Sequence, residues 1–346
     1  MYNNACYSTY IPNNMKYALI DTANTFFRAR HVASYNSDTW EKIGMALHLT
    51  LASVNQAVRR YGIDHVVFCL EGRSFRKDIY EPYKKNRIVD AMSVTEAEKE
   101  ENDMFWDTYE KFTTYIREKT NVSVLRHERA EADDLIARFI HLHPDDTHYI
   151  ISTDSDYVQL ITDKVFQYNG VTNELITLDG YFKDTGKPVL DKEKKPKLLE
   201  DPEYLLFKKI IRGDAGDNVF TAYPRAPEKG SANRVGIREA FEDRDKQGFK
   251  WNNFMLQRWV DHNGVEQVVR DCYLRNKTLI DLKSQPDEIK QLVDDAIRNG
   301  VRTTVTPQVG VHLMKFCGKY ELNKISENAE TYAKWLNNPY KGSLHE

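Results

Sequence analysis

Nowhere in these 346 residues do about 18 apolar residues follow one another, so no membrane-spanning helix is expected. The opening MYNNACYSTYIPNN is polar and lacks the apolar run of a secretory signal. Cysteine is scarce: Cys6, Cys69, Cys272 and Cys317 lie far apart, with no CxxC pair and no flanking histidine pattern. That spacing argues against a zinc site or a disulfide framework and suits reduced, mostly buried thiols in a cytosolic protein. The ten histidines are scattered, and His141 and His143 fit a helix end better than a metal site. No internal repeat is visible. Nor does one charge dominate, since 49 Lys and Arg face 52 Asp and Glu for a formal −3.

What is present reads as alternating strands and helices. KYALID (16–21), HVVFCL (65–70), HYIIST (148–153) and KVFQYNG (164–170) have the composition of buried strands. Ile43, Leu47, Leu51, Val54 and Val58 recur at helical spacing between about 41 and 60, and Gly62 stops them. Phe105, Tyr109, Phe112 and Ile116 form one stripe of a helix over about 102–119, best read as core packing. EADDLIARFIHLH starts a further helix near Glu131. The pattern predicts an α/β fold, a parallel-type central sheet flanked by helices. Residues 1–15 read as a flexible tail, 16–182 as the α/β core, 183–202 as a solvated Lys/Asp/Pro-rich loop or linker, 203–300 as a helical region and 301–346 as a C-terminal extension.

Three of the strands run into a carboxylate: Asp21, Glu71 and Asp154. Ligands of open α/β sheets bind outside the carboxyl ends of the strands, so these acids converge where a site belongs. STDSDYVQL sets Asp154 and Asp156 one residue apart, close enough to share a metal, although Asp154 or Ser155 could instead cap the next helix. EADD puts Glu131 and Asp134 three apart on one helix face with Asp133 beside them, while acids in a first turn also answer the helix dipole. RGDAGDN spaces Asp214 and Asp217 by three within what could be an ordinary glycine-flanked turn.

Together these pieces are far less ordinary than any one alone. Two unit charges about 4 Å apart repel by roughly 4 kcal/mol at an effective dielectric near 20, so nine such groups need cations. An oxygen-only donor set suits two Mg²⁺, with Mn²⁺ able to substitute. If nine acids sit together, the remaining 43 face 49 Lys and Arg, and an acidic hole lies in a basic surface.

With those residues in hand, the chain resembles the phage and bacterial 5′-nuclease (flap endonuclease) family, and is most similar to its phage RNase H-type 5′-3′ exonucleases. LIDTANTFFRA resembles the first motif of that family, VVFCLEGRSFRKDIYEPYKKNR the second, and EADDLIA, STDSDYVQLIT and RGDAGDN the third, fourth and fifth. CYLRNKTLIDL resembles a segment near the family's C-terminal end. The resemblance implies a 5′-nuclease/PIN-like core, a helical arch over about 73–100, and a helix–turn–helix-like duplex-binding element in 203–300. It implies metal ligation, direct or through water, by Asp21, Glu71, Glu131, Asp133, Asp134, Asp154, Asp156, Asp214 and Asp217. Glu71 stands where the family usually has Asp.

YKKNR lies far enough along from LEG to fold back over the strand ends, which puts Lys84 beside the scissile phosphate as a catalytic cation and Arg87 near the same strand. The resemblance puts Arg73, Arg76, Lys77, Tyr83 and Lys85 on a single strand, where cations interleaved with aromatics combine phosphate contact with stacking. Arg225, Lys229, Arg234 and Arg238 fall on duplex backbone. TAYPRAPEKGSANRVGIREAF is a looser, longer version of the family's glycine-rich hairpin, which leaves the monovalent ion of that hairpin weakly supported. The implied activity is 5′-3′ exonuclease and flap cleavage on DNA and RNA–DNA hybrids, with primer removal during replication. The implied partners are branched or nicked DNA and 5′ flaps, with a single-strand-binding or clamp protein reached through 301–346. A monomer in the cytoplasm of a bacterial or phage-infected cell, away from membranes, is expected.

Overall fold

The computed structural model describes residues 14–30, 37–87 and 94–345. Most of the expected 1–15 tail and residues 88–93 of the expected arch lie outside that range. A seven-stranded sheet runs in the order β3-β2-β1-β4-β5-β6-β7. Its strands are β1 (Lys16–Asp21), β2 (His65–Cys69), β3 (Ser123–Leu125), β4 (Thr147–Ile151), β5 (Val165–Asn169), β6 (Glu174–Thr177) and β7 (Gly180–Lys183). The first five pair in parallel, with Tyr17 opposite both His65 and His148. The last two are antiparallel, and the sequence reading missed them because four-residue strands such as ELIT and GYFK are short and only half-buried.

Parallel strands buried on both faces explain the near-continuous apolar runs. Side chains alternate across β1: Ala18 and Ile20 join one core, Tyr17 and Leu19 the other. β2 does the same with Val66 and Phe68 against Val67 and Cys69. Helices Thr39–Tyr61 and Glu96–Lys119 cover the first face, the latter starting about six residues before its expected first turn at a Thr95–Glu98 capping box. Helices Ala132–Leu142 and Asp287–Gly300 cover the second. The Phe105, Tyr109, Phe112 and Ile116 stripe is core, as its spacing predicts.

Two expected boundaries shift. Residues 183–202 are an exposed loop, as expected, but not a free linker: Val189 and Lys197 extend the β7 edge through backbone bonds between Val189 and Tyr181 and between Lys197 and Val189. Residues 301–345 are not an appendage either. Val309, Leu313, Phe316, Trp335 and Leu336 sit in the first-face core with Ile43 and Phe112, where their burial outweighs a separate existence. Residues 202–280 carry their own small core around Tyr204, Phe207, Ile237 and Phe254.

Candidate metal centre and nucleic-acid interface

β1 ends in Asp21, whose carboxylate is buried and accepts from the backbone of Asn24 and from Ser152 Oγ and Tyr157 Oη, both at 3.1 Å. Burial, with Asp154 adding repulsion, pushes its pKa up to about 6. Glu71 follows β2 and is drawn against the third motif, its Oε2 accepting from Ala132 N at 3.2 Å. The close approach depends on Gly72, where a Cβ would meet the carbonyl oxygens of His127 at 1.9 Å and Ala130 at 2.7 Å. Burial, then Asp21 and Glu131, raise the Glu71 carboxyl to about 7. Two neighbouring acids so far above their usual range mark a site that wants positive charge.

Glu131 caps helix Ala132–Leu142, and one oxygen from each of Glu131, Asp133 and Asp134 falls within 4.8 Å of the others. Burial, then Asp134, lifts the Asp133 carboxyl well above its ordinary range. Burial pulls Glu131 the same way, but Lys84 and Arg76 outweigh it and hold the pKa at about 2. Asp134 is fully buried and turned inward, with Arg76 on both oxygens (2.8 and 2.9 Å) and Gln285 on one (2.7 Å).

Asp154 caps a short 3₁₀ turn, Ser155–Leu160, by accepting from Asp156 N, so the ordinary capping role and a place at the site coexist. Asp156 and Asp214 share one cation, Lys209 Nζ, which lies 2.7 Å from Asp214. Burial still raises Asp156 despite Lys209, whereas Lys209 outweighs burial at Asp214 and lowers it. Asp214 and Asp217 sit on a tight loop closed by paired backbone bonds between Asp214 and Val219. Asp133, Asp156, Asp214 and Asp217 line one small cleft with Tyr83. The third, fourth and fifth motifs thus meet, and Asp21 and Glu71 adjoin them through the bonds to Ser152, Tyr157 and Ala132.

The basic residues divide. Lys84 adopts φ +55°, its amide donates to Asp217 O, and its ammonium reaches Glu131 and, at 3.7 Å, Asp217. Those two acids raise its pKa against the effect of burial. Arg87 is exposed and donates to Asp217 Oδ1 at 2.7 Å. Arg73, Lys77 and Lys85 are exposed, with Arg73 paired to Asp78 and Lys85 to Glu81. Arg76 and Tyr83, expected on nucleic acid, are instead internal. Arg76 is 1% exposed and spent on Asp134 and Glu131, and Tyr83 is 3% exposed with its hydroxyl between Glu131 and Asp217 at 2.9 Å each. The reason is that buried acids demand buried donors.

Arg225, Lys229 and Arg234 are exposed on one loop, Arg234 donating to Arg225 O. Arg238 lies instead over the Tyr204 ring and pairs with Glu200 at 2.6 Å. The loop is not loose: the amides of Gly230 and Gly236 both donate to Glu239 at 2.9 Å. Sequence reasoning missed Lys209, Tyr157 and Gln285. Of these, Lys209 had a signal, since it stands one helical turn before RGDAGDN.

Residues 16–186 match the family model of the 5′-3′ exonuclease N-terminal resolvase-like domain. Residues 16–186 thus belong to that exonuclease domain family. The flap endonuclease of Escherichia phage T5 is 29% identical over 157 residues, 43% of this chain and 47% of that protein. DNA polymerase I of Rhizobium leguminosarum is 28% identical over 187 residues, 52% of this chain and 15% of that protein. The chain therefore spans under half the length of either relative. Among solved structures, a zinc-bound phage T5 5′-exonuclease superposes with TM-score 0.56 at 20% identity, covering 82% of this chain and 98% of that one. A phage T5 flap endonuclease pseudo-enzyme–product complex with DNA and metal ions gives 0.54 at 19%, covering 92% and 99%. These likenesses establish the shared 5′-nuclease fold. The first four motifs read in sequence thus fall within the matched domain, whereas RGDAGDN and CYLRNKTLIDL lie beyond it.

Proposed function

We propose that the protein is a divalent-metal-dependent 5′-nuclease, a 5′-3′ exonuclease and flap endonuclease acting on DNA and RNA–DNA hybrids, with removal of RNA primers as its use. The observation that carries this reading is the meeting of acids from three separate segments at Glu131, Asp133 and the Asp156–Asp214–Asp217 cleft, with Glu71 bonded to Ala132 and Asp21 to Ser152 and Tyr157 beside them. The residues fit hard cations: every donor is oxygen, and the raised Asp21, Glu71 and Asp133 carboxyls want neutralising charge. Asp21, Glu71, Glu131, Asp133, Asp154, Asp156, Asp214 and Asp217 would hold two Mg²⁺, or Mn²⁺, some through water, with Asp134 a support behind them. Two such ions, when bound, supply Lewis-acid activation of water and stabilisation of the leaving oxygen of a phosphodiester.

The chain's own cations do the rest in this reading. Lys84 and Arg87 hold the reacting phosphate, and Arg73, Lys77 and Lys85 guide the strand. Arg225, Lys229 and Arg234 grip duplex backbone. The protein works as a monomer, and any clamp or single-strand-binding protein would meet the surface of 301–345. The test is incubation with end-labelled flap, nicked and hybrid substrates, with Mg²⁺ or with chelator. Mg²⁺-dependent cleavage near the 5′ end, abolished by Asp156→Ala with DNA binding retained, is expected. Cleavage by Asp156→Ala within tenfold of wild type overturns the assignment.

A further inference from the structure

Beside the acids, on the first face of the sheet, lies a cavity of about 250 Å³ that touches the first and fourth motifs but is lined by none of their carboxylates. It opens between the carboxyl ends of β4 and β5 and the helices Thr22–Arg30 and Thr39–Tyr61. Its wall is bonded directly to the candidate metal centre. Ser152 donates to the Asp21 carboxylate at 3.1 Å, Thr25 to the Asp21 carbonyl at 2.7 Å, and Thr153 to Asn24 at 2.9 Å. The cavity therefore shares its floor with the first metal-ligand candidate.

The lining has a definite chemistry. Leu49, Ala52, Ile151 and Val171 give apolar walls, and Ser53, Gln56 and Asn173 give neutral donors and acceptors. Arg28 stands exposed at the rim. Among the described residues, no hydrogen bond or ion pair engages the side chains of Arg28, Ser53 or Gln56, and the oxygen of Asn173 alone is used, by Tyr168. The space is shaped closely, since a Cβ on Gly170 would come within 2.4 Å of Ser53 Oγ. Apolar walls with amides among them suit a heteroaromatic base, hydroxyls suit a sugar, and one exposed arginine suits a single phosphate. The volume sits just under the ~300–1,000 Å³ of ordinary ligand pockets, which favours one nucleoside unit over anything larger.

From this geometry we infer that the cavity is a binding site for one nucleotide, base inward and phosphate at Arg28, adjoining but separate from the hydrolytic centre. The occupant is either a base of the bound strand turned out beside Asp21 or a free mononucleotide. The first source rests on the nuclease reading above, and the second does not.

The experiment uses 2-aminopurine, whose emission reports stacking and burial. In one arm, 2-aminopurine riboside 5′-monophosphate is titrated onto the full chain in chelator, where no metal can recruit phosphate to the acids. Wild type should bind, and Ala52→Trp and Gln56→Ala should each weaken binding at least tenfold. Arg28→Ala should weaken the monophosphate but not the unphosphorylated riboside. Gln56→Ala, a half-exposed polar truncation, keeps the fold if Ala52→Trp does not. In the second arm, 2-aminopurine is placed at successive positions of a 5′-flap substrate. An emission change at one position, lost in the same variants, identifies the strand as the source. A response in the first arm alone identifies the free mononucleotide. Equal behaviour of wild type and variants in both arms overturns the inference. Failure of the nuclease reading appears separately, as absence of Mg²⁺-dependent cleavage with binding in the first arm intact.

Discussion

Arg76 and Asp134 face each other as a buried fork on fork, Nη1 to Oδ2 at 2.8 Å and Nη2 to Oδ1 at 2.9 Å, with 1% and 0% of their side chains exposed. A guanidinium from the second motif thus anchors the helix that carries the third. Removing one partner leaves an unpaired buried charge, so Arg76→Ala should cost about 3–5 kcal/mol of stability. The double change Arg76→Met with Asp134→Leu should cost less than either single. Chemical denaturation of the three variants checks this, and equal losses in all three would refute it.

Lys209 stands between Asp156 and Asp214 as an internal counter-charge. Without it the two carboxylates repel more strongly, and an added cation has more repulsion to relieve. Lys209→Met should lower the melting temperature of the metal-free protein and enlarge the gain on adding millimolar Mg²⁺, because the ion binds only the folded form. A gain no larger than that of wild type would count against a shared metal position.

Lys84 and Lys85 are neighbours with different surroundings: one is drawn among Glu131 and Asp217, the other is exposed against Glu81. A cation held in place at the reacting phosphate is worth ~10²–10³ in rate. Lys84→Ala should slow single-turnover cleavage by about that factor with little loss of affinity. Lys85→Ala should chiefly weaken binding and flatten its salt dependence. Indistinguishable rate constants for the two would reduce Lys84 to an electrostatic guide.

His65, His143 and His148 cluster around Tyr17 and Tyr340 at the opposite end of the strands, and burial pushes all three from 6.5 down to about 4. Below pH 6.5 the unfolded chain binds protons that the folded one refuses. Their contribution to stability is therefore full above pH 6.5 and is lost as pH falls toward 4. Asp21 and Glu71, raised to about 6 and 7, act in the other direction, losing stability as pH rises through that range. Asp133 and Asp156, also raised, act the same way, so the opposing contribution of the site is gone only in an Asp21→Asn/Glu71→Gln/Asp133→Asn/Asp156→Asn background. Unfolding free energy should then fall by at least about 2 kcal/mol between pH 7.5 and 5. A flat profile would mean that the histidines titrate normally.

The carboxylates were legible because strands, helix starts and glycine turns place acids by short-range rules, and apolar runs place the strands. Arg76 and Tyr83 were not legible. A basic-aromatic run looks the same whether its side chains meet solvent or a buried acid, and only the tertiary contact decides. Lys209 lay outside any motif. The packing of 301–345 was also hidden, because an amphipathic helix does not say which distant face will cover it. The cavity beside Asp21 is assembled from four segments and leaves no trace in any one of them.

The placement of those C-terminal helices bears on how the protein comes to be made. Leu336 and Trp335 share a core with Ile43 and Leu47, partners far apart along the chain. Closing so long a loop is slow and brings its reward only once both sides exist. Until residues 309–336 have docked, one face of the central sheet stays open and its strand ends are poorly fixed. The frame that holds Asp21 and Glu71 is therefore completed late in folding, by a segment that carries none of the clustered acids.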